Sequence, residues 1–95
     1  MTHGPRRAVR VVVRGRVQGV GYRISAVRSG RSLGLTGWVR NAVDGSVEVW
    51  AQGEADAVDR FVRFLDAGPL AAHVDGVVVT PGVVNPAMTT FDVRY

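Results

Sequence analysis

The sequence predicts an α+β domain in which two helices cover one face of a mainly antiparallel sheet. Three observations favour this class. Residues 8–14 alternate valine with other side chains in the period-two pattern of a strand. Asp44-Gly45 separates two further strand-like segments, which is typical of a hairpin. Residues 58–65 place apolar side chains at the spacing of an amphipathic helix.

The first half-unit consists of the strand at residues 8–14, a glycine-rich turn and a helix over about residues 22–33, which Gly34 ends. Gly30 lies inside this predicted helix, where glycine costs about 1 kcal/mol relative to alanine. We therefore expect Gly30 to mark a close contact between the helix and the sheet.

The two hairpin strands are predicted over residues 36–42 and 46–52, with Gly53 ending the second. The amphipathic helix follows and ends at Gly68-Pro69. A last long strand is predicted over residues 74–80, then an irregular loop from Pro81, and a short strand at residues 91–93. The order βαββαβ with a short C-terminal strand describes a ferredoxin-like α/β sandwich.

Length and composition predict one soluble domain at residues 8–95, preceded by a flexible leader at residues 1–7. The leader lacks the apolar segment of a signal peptide, and no apolar run approaches the ~20 residues of a membrane helix. We expect a cytoplasmic monomer with no membrane association. The chain has no cysteine and only two distant histidines, which argues against a metal site; His73 is expected to be structural.

Charge is distributed unevenly along the chain. All twelve basic residues are arginine, nine of them precede Asp44, and all eight acidic residues lie from Asp44 onwards. The two parts therefore carry +9 and 3 − 8 = −5, which sum to the net charge of +4. The basic part is expected to attract anions, either small phosphates or nucleic acid.

The stretch from Gly15 to Arg23 joins the first strand to the first helix and contains three glycines. Glycine lets the backbone bend and approach a ligand, and the N–H groups before a helix suit an anion. Arg23 follows in the first helical turn. We interpret the stretch as a phosphate cradle with a guanidinium clamp.

Other phosphate-binding and nucleophilic motifs are excluded. A nucleoside-triphosphate P-loop requires a lysine, and the chain has none. The dinucleotide-binding pattern that begins at Gly19 would need glycine at position 24, where the chain has Ile24. No serine occupies a Gly-x-Ser-x-Gly elbow. Two other classes stay open: an RNA-binding ferredoxin-like module and a non-catalytic small-anion sensor. The first strand lacks the aromatic residues that stack RNA bases, which disfavours nucleic acid.

The side of the sheet that carries Asn41 is left open by the hairpin. A two-residue loop would pair Asn41 with Glu48, whereas a loop of odd length would place it on the face of Val47 and Val49.

The run Gly15–Arg23 closely resembles the first signature of the acylphosphatase family, and Gly37–Asn41 with Asp44–Glu48 resembles the second. Tyr22 departs from the pattern, where phenylalanine is commoner. The similarity extends over essentially all residues after the leader.

The resemblance implies an enzyme that hydrolyses the carboxyl–phosphate bond of small acyl phosphates, releasing a carboxylate and inorganic phosphate without a metal or cofactor. It implies that Arg23 binds the phosphate oxygens and that Asn41 orients the attacking water. Backbone N–H groups would complete the cradle, at Gly15, Arg16, Val17, Gln18, Gly19 and Val20. These roles suit the side chains, because arginine can grip two phosphate oxygens and asparagine can accept and donate hydrogen bonds without titrating.

Overall fold

The computed structural model describes residues 5–95, which form a five-stranded sheet and two helices. The elements are β1 (Arg6–Arg16), α1 (Tyr22–Ser32), β2 (Thr36–Asn41), β3 (Val47–Glu54), α2 (Ala55–Ala67), β4 (His73–Gly82) and β5 (Phe91–Val93). The strand order is β4-β1-β3-β2-β5, in which only β2 and β5 pair in parallel. The predicted βαββαβ sandwich with a short terminal strand is confirmed.

Three strands are longer than the sequence pattern indicated. Strand β3 continues to Glu54 through Gly53, which was predicted to end it, because the extended start of β1 pairs with both residues. Strand β1 begins at Arg6, where its backbone still pairs with Glu54 of β3. Strand β4 continues through Pro81, which was predicted to open an irregular loop. Proline is tolerated there because β4 is an edge strand that pairs only with β1, so its missing N–H interrupts no second ladder. Residues 1–4 of the predicted leader lie outside the described residues.

The core lies between the sheet and the two helices. Alternate residues of the central strands point into it and are fully buried, among them Val9, Val11, Val13, Val47 and Val49. Phe61 and Leu65 of α2 are buried in the same core. Burying each such side chain contributes about 1.5–3 kcal/mol. The alternation that predicted β1 therefore reflects one buried and one open face. Within the described residues, neither helix is long and apolar enough to cross a membrane.

Gly30 lies where α1 meets Phe91 of β5. A Cβ atom at Gly30 would lie 2.6 Å from Phe91 Cε2, which is closer than side chains pack. The Phe91 ring also makes an edge-to-face contact with Phe61 of α2, at a centroid distance of 5.4 Å. The absence of a side chain at Gly30 thus lets one aromatic ring contact both helices, as the expected close contact requires.

Tyr22 donates a hydrogen bond to a carbonyl near the end of α2 that lacks a backbone donor. The carbonyl of Leu65 would ordinarily accept from the N–H four residues later, but that residue is Pro69, which has none. Instead, the buried Tyr22 hydroxyl donates to Leu65 O at 2.5 Å. The hydroxyl of Tyr22 therefore ties the start of α1 to the end of α2.

Replacing Tyr22 by phenylalanine should lower the free energy of unfolding by about 1–3 kcal/mol, because the Leu65 carbonyl would be left buried without a donor. Denaturant titration of the variant and the parent measures this difference. Equal unfolding midpoints would contradict the proposed role of the hydroxyl.

The same substitution should alter the alkaline limb of the stability curve. Burial, with the nearby Asp66 charge, raises the pKa of Tyr22 above its ordinary value of 10.0. The folded state therefore favours the neutral phenol. Its stabilising effect is complete below the unfolded pKa of about 10 and is lost as the pH rises further. Tyr22→Phe removes this loss, so its stability should decline less steeply above pH ~10.

Candidate active site

The ends of three neighbouring strands lie together at one end of the sheet. Strands β1 and β2 both run antiparallel to β3, so their C-terminal ends lie beside the start of β3. Val47 of β3 pairs with Val13 of β1 on one side and with Asn41 of β2 on the other. The turn that leaves β1 and the hairpin loop that follows Asn41 therefore emerge side by side, although they are distant in sequence.

The turn between β1 and α1 is held by two apolar anchors. Val17 is 1% exposed and belongs to the core, and Val20 packs against the core from the surface. Gly21 forms the N-cap of α1 in the left-handed conformation, with φ 77° and ψ 14°. A residue with a side chain would be strained there by about 1–2 kcal/mol, so glycine fixes how the chain enters the helix.

Backbone donors from this turn are free of protein acceptors. Within the described residues, no N–H from Gln18 to Ile24 donates to another protein group, and the first bond of α1 runs from Ser25 N to Gly21 O at 3.1 Å. Gly21 has no side chain to cap the helix, and its first turn contains no acidic residue. These donors and the positive end of the helix dipole together suit an anion.

The position of these donors bears on the predicted cradle of residues 15–20. Gly15 and Arg16 belong to β1, where they pair with Val74 and His73 of β4. The N–H groups from Val17 to Ile24 lie between the end of β1 and the first hydrogen bond of α1, so they overlap the predicted cradle at residues 17–20 and include the first turn of α1. The start of α1 was already part of the sequence-based interpretation of this anion site, and the cradle at residues 15–20 stays a prediction.

Arg23 occupies the first turn of α1 and is half-buried. Its guanidinium carbon lies 5.4 Å from the centroid of the Tyr95 ring, a cation–π contact that leaves the charge in place. Within residues 5–95, no carboxylate pairs with Arg23. Its positive charge is therefore available to an anion held by the neighbouring N–H groups.

Asn41 lies at the end of β2, and its pairing with Val47 makes the hairpin loop five residues long, from 42 to 46. Of the two alternatives for the sheet face, the odd-length loop is correct, and Asn41 shares the helix-covered face with Val47 and Val49. Its Oδ1 atom is buried and has no hydrogen-bond partner in the described protein. Such an acceptor costs free energy unless a water or ligand donates to it.

The loop length follows from the side chain of Asp44. One carboxylate oxygen accepts hydrogen bonds from Ser46 N at 3.0 Å and from Ser46 Oγ at 2.6 Å, while the other accepts from Arg14 Nη1 at 3.0 Å. The two bonds from Ser46, followed by that from Arg14, lower the pKa of Asp44 to about 2. The Asp-Gly pair therefore lies inside a wider loop and does not form a two-residue turn.

Gln18 connects the two parts of the site. Its Nε2 atom donates to Ala42 O at 2.8 Å and to Ser46 O at 2.9 Å, which are the first and last residues of the hairpin loop. No hydrogen bond joins Arg23 directly to Asn41 among the described residues. The sequence-predicted residues thus lie on segments that leave the same end of the sheet. The contact of the Gln18 side chain that links these segments was not predicted.

His73 pairs with Arg16 of β1 through the backbone, and its side chain takes part in none of the contacts described above. It is at the start of β4, with its side chain largely exposed and its Nε2 3.0 Å from Asp75 Oδ1. In the part of the chain that the structure describes, no three histidine, aspartate or glutamate side chains cluster as metal ligands would.

Known proteins are similar to this chain in sequence and in fold. The family model described as acylphosphatase matches residues 9–93. An acylphosphatase from Anaeromyxobacter dehalogenans is 52% identical over 90% of this chain and 92% of its own length. One from Methylococcus capsulatus is 48% identical over 92% and 95%, respectively. The structure of an acylphosphatase from Coxiella burnetii superposes with a TM-score of 0.88 at 38% identity, covering 94% of this chain and 93% of that one.

Proposed function

Because the chain belongs to the acylphosphatase family and is an acylphosphatase, we propose that the turn after β1 holds the phosphoryl group while Asn41 orients the attacking water. The substrate class is an acyl phosphate and one product is inorganic phosphate. What is proposed is which atoms of this chain perform each step.

The reaction forms a bond between the water oxygen and phosphorus and breaks the bond between phosphorus and the acyl oxygen. The electron pair of the broken bond leaves with the carboxylate. The water oxygen becomes part of the phosphate, and the proton that the water loses passes to another oxygen of the phosphoryl group, which gives dihydrogen phosphate. A carboxylate is a stable leaving group, since carboxylic acids have pKa values of about 4. The enzyme therefore needs neither a covalent intermediate nor an acid to protonate the leaving group, and the proposal includes no metal or cofactor.

Binding of the phosphoryl group is assigned to Arg23 and to the backbone N–H groups of the turn between β1 and α1. A guanidinium can donate to two phosphate oxygens at once, and the free N–H groups approach the same anion from the backbone. Because phosphoryl transfer spreads charge over the non-bridging oxygens, donors fixed before the reaction stabilise the transition state.

Orientation of the water is assigned to Asn41, and one observation carries this role. Its Oδ1 atom is a buried acceptor without a protein partner, at the end of a strand beside the phosphate-binding turn. A water that donates one proton to Oδ1 would satisfy that acceptor and be held with an oxygen lone pair available to phosphorus. The monomeric state and the cytoplasmic location stay predictions.

Hydrolysis of benzoyl phosphate in water enriched in the heavy oxygen isotope tests the proposed attack. We expect the label in the released phosphate and not in the benzoate, because the water bonds to phosphorus. Mass spectrometry of both products, corrected with an enzyme-free blank, measures this. Label in the benzoate would show attack at the carbonyl carbon and would overturn the roles assigned to both residues.

A further inference from the structure

The side-chain amide of Gln18 contacts the hairpin loop where that loop closes. Ala42 N donates to Ser46 O at 2.8 Å, which joins the two ends of the loop immediately after Asn41. Gln18 Nε2 donates to the carbonyls of both of these residues, at 2.8 and 2.9 Å. An amide nitrogen has two protons, so both donors of Gln18 are used by the base of this loop.

We propose that Gln18 is a positioning residue for the hydrolysis, which holds Asn41 at a fixed place relative to the bound phosphoryl group. The inference rests on the proposed function, since it assigns Gln18 an effect exerted through Asn41. The backbone of Gln18 lies in the phosphate-binding turn, while its side chain grips the residue that follows Asn41. A movement of the hairpin loop would therefore have to break these two hydrogen bonds.

The position of Asn41 relative to the phosphate-binding turn matters more for in-line attack than for phosphate binding. Arg23 and the free N–H groups lie on one continuous segment, so they can bind phosphate whether or not the hairpin loop is in place. The water is held by Asn41, which lies on a different strand from the phosphate-binding turn. Small displacements of a reacting group lower the rate strongly. Loss of the Gln18 contacts should therefore reduce kcat and leave phosphate affinity nearly unchanged.

A second contact between the same two segments offers a matched control. Arg14 at the end of β1 pairs with Asp44 at 3.0 Å, but the side chains are 60% and 53% exposed and the contact is at the loop tip. Exposed ion pairs contribute little to holding a structure. Arg14→Met should therefore change kcat less than about twofold, whereas Gln18→Met removes both donors while keeping the length of the side chain.

The experiment measures kcat with benzoyl phosphate and the competitive inhibition constant of inorganic phosphate for the parent, Gln18→Met and Arg14→Met. We expect Gln18→Met to lower kcat about 10- to 100-fold while the inhibition constant changes less than about threefold. A kcat within about twofold of the parent, or an equal loss in both quantities, would overturn the proposal. If Gln18→Met does not fold, Gln18→Asn, whose amide is one methylene too short for both carbonyls, replaces it.

Combination with Asn41→Ser separates this inference from the proposed function. If Gln18 acts through Asn41, adding Gln18→Met to Asn41→Ser should lower kcat by less than about twofold. The same fold loss in both backgrounds would assign Gln18 an independent effect and reject the positioning role. A parent-like kcat for Asn41→Ser alone would instead reject the role proposed for Asn41.

Discussion

Replacement of Arg23 by glutamine is expected to lower kcat/KM for benzoyl phosphate by about 10³-fold or more. Glutamine retains part of the length and some hydrogen bonding but loses the positive charge. The fold should persist, because the contact that Arg23 makes in the described protein is with the exposed ring of Tyr95. The change in unfolding free energy should stay below about 1 kcal/mol.

Arg23→Lys separates charge from geometry at the same position. An ammonium keeps the positive charge but cannot present the planar pair of donors that grips two phosphate oxygens. We expect the KM for benzoyl phosphate and the inhibition constant of phosphate to rise together. Retention of most of the activity in Arg23→Lys would show that charge alone is sufficient.

Arg28→Gln serves as the matched control for Arg23→Gln. Arg28 lies on the same helix, is exposed, and carries the same charge. Its loss changes the net charge of the protein equally, so it reports any general effect of the positive field on substrate attraction. We expect activity within about twofold of the parent. A large loss in Arg28→Gln would indicate that the field, and not a specific contact, explains the Arg23 results.

The elements with strong periodicity could be predicted because a single buried face determines them. Val9, Val11 and Val13 of β1 all face the core, and Val58, Phe61 and Leu65 form the buried face of α2. The exact end of β4 could not be predicted in this way. Pro81 ordinarily indicates a loop, and only the position of β4 at the edge of the sheet explains why the strand continues.

The candidate site could be predicted only in part, since its parts come from separate segments. The glycine-rich turn and Arg23 are adjacent in sequence, so local pattern was sufficient to single them out. The face of Asn41 depends on the hairpin loop, whose length is set by hydrogen bonds from Ser46 to Asp44. Gln18 and its partners in this loop are 24 to 28 residues apart in sequence. Their contact could not be predicted from local pattern, because the two segments become neighbours only through the strand order.

Asn41→Ala is expected to lower kcat for benzoyl phosphate by about 10²- to 10³-fold, because the water would lose the acceptor that orients it. The inhibition constant of inorganic phosphate should change less than about threefold, since Arg23 and the free N–H groups remain. Steady-state kinetics with phosphate as the competitive inhibitor measures both. A near-parental kcat would show that another group orients the water.

Stability provides an independent test of the same residue. The buried Oδ1 of Asn41 has no protein partner, so the folded state gains little from this polar atom in the absence of substrate. Asn41→Ala should therefore leave the free energy of unfolding unchanged or raise it by up to about 1 kcal/mol, even as turnover is lost.

Asn41→Asp is the matched variant: it keeps an oxygen in place but adds a negative charge facing the phosphoryl group. It should weaken phosphate binding as well as turnover, whereas Asn41→Ala should affect turnover alone. A marked loss of stability in Asn41→Ala would instead assign Asn41 to the structure of the hairpin, because a residue kept for the reaction should not be needed for the fold.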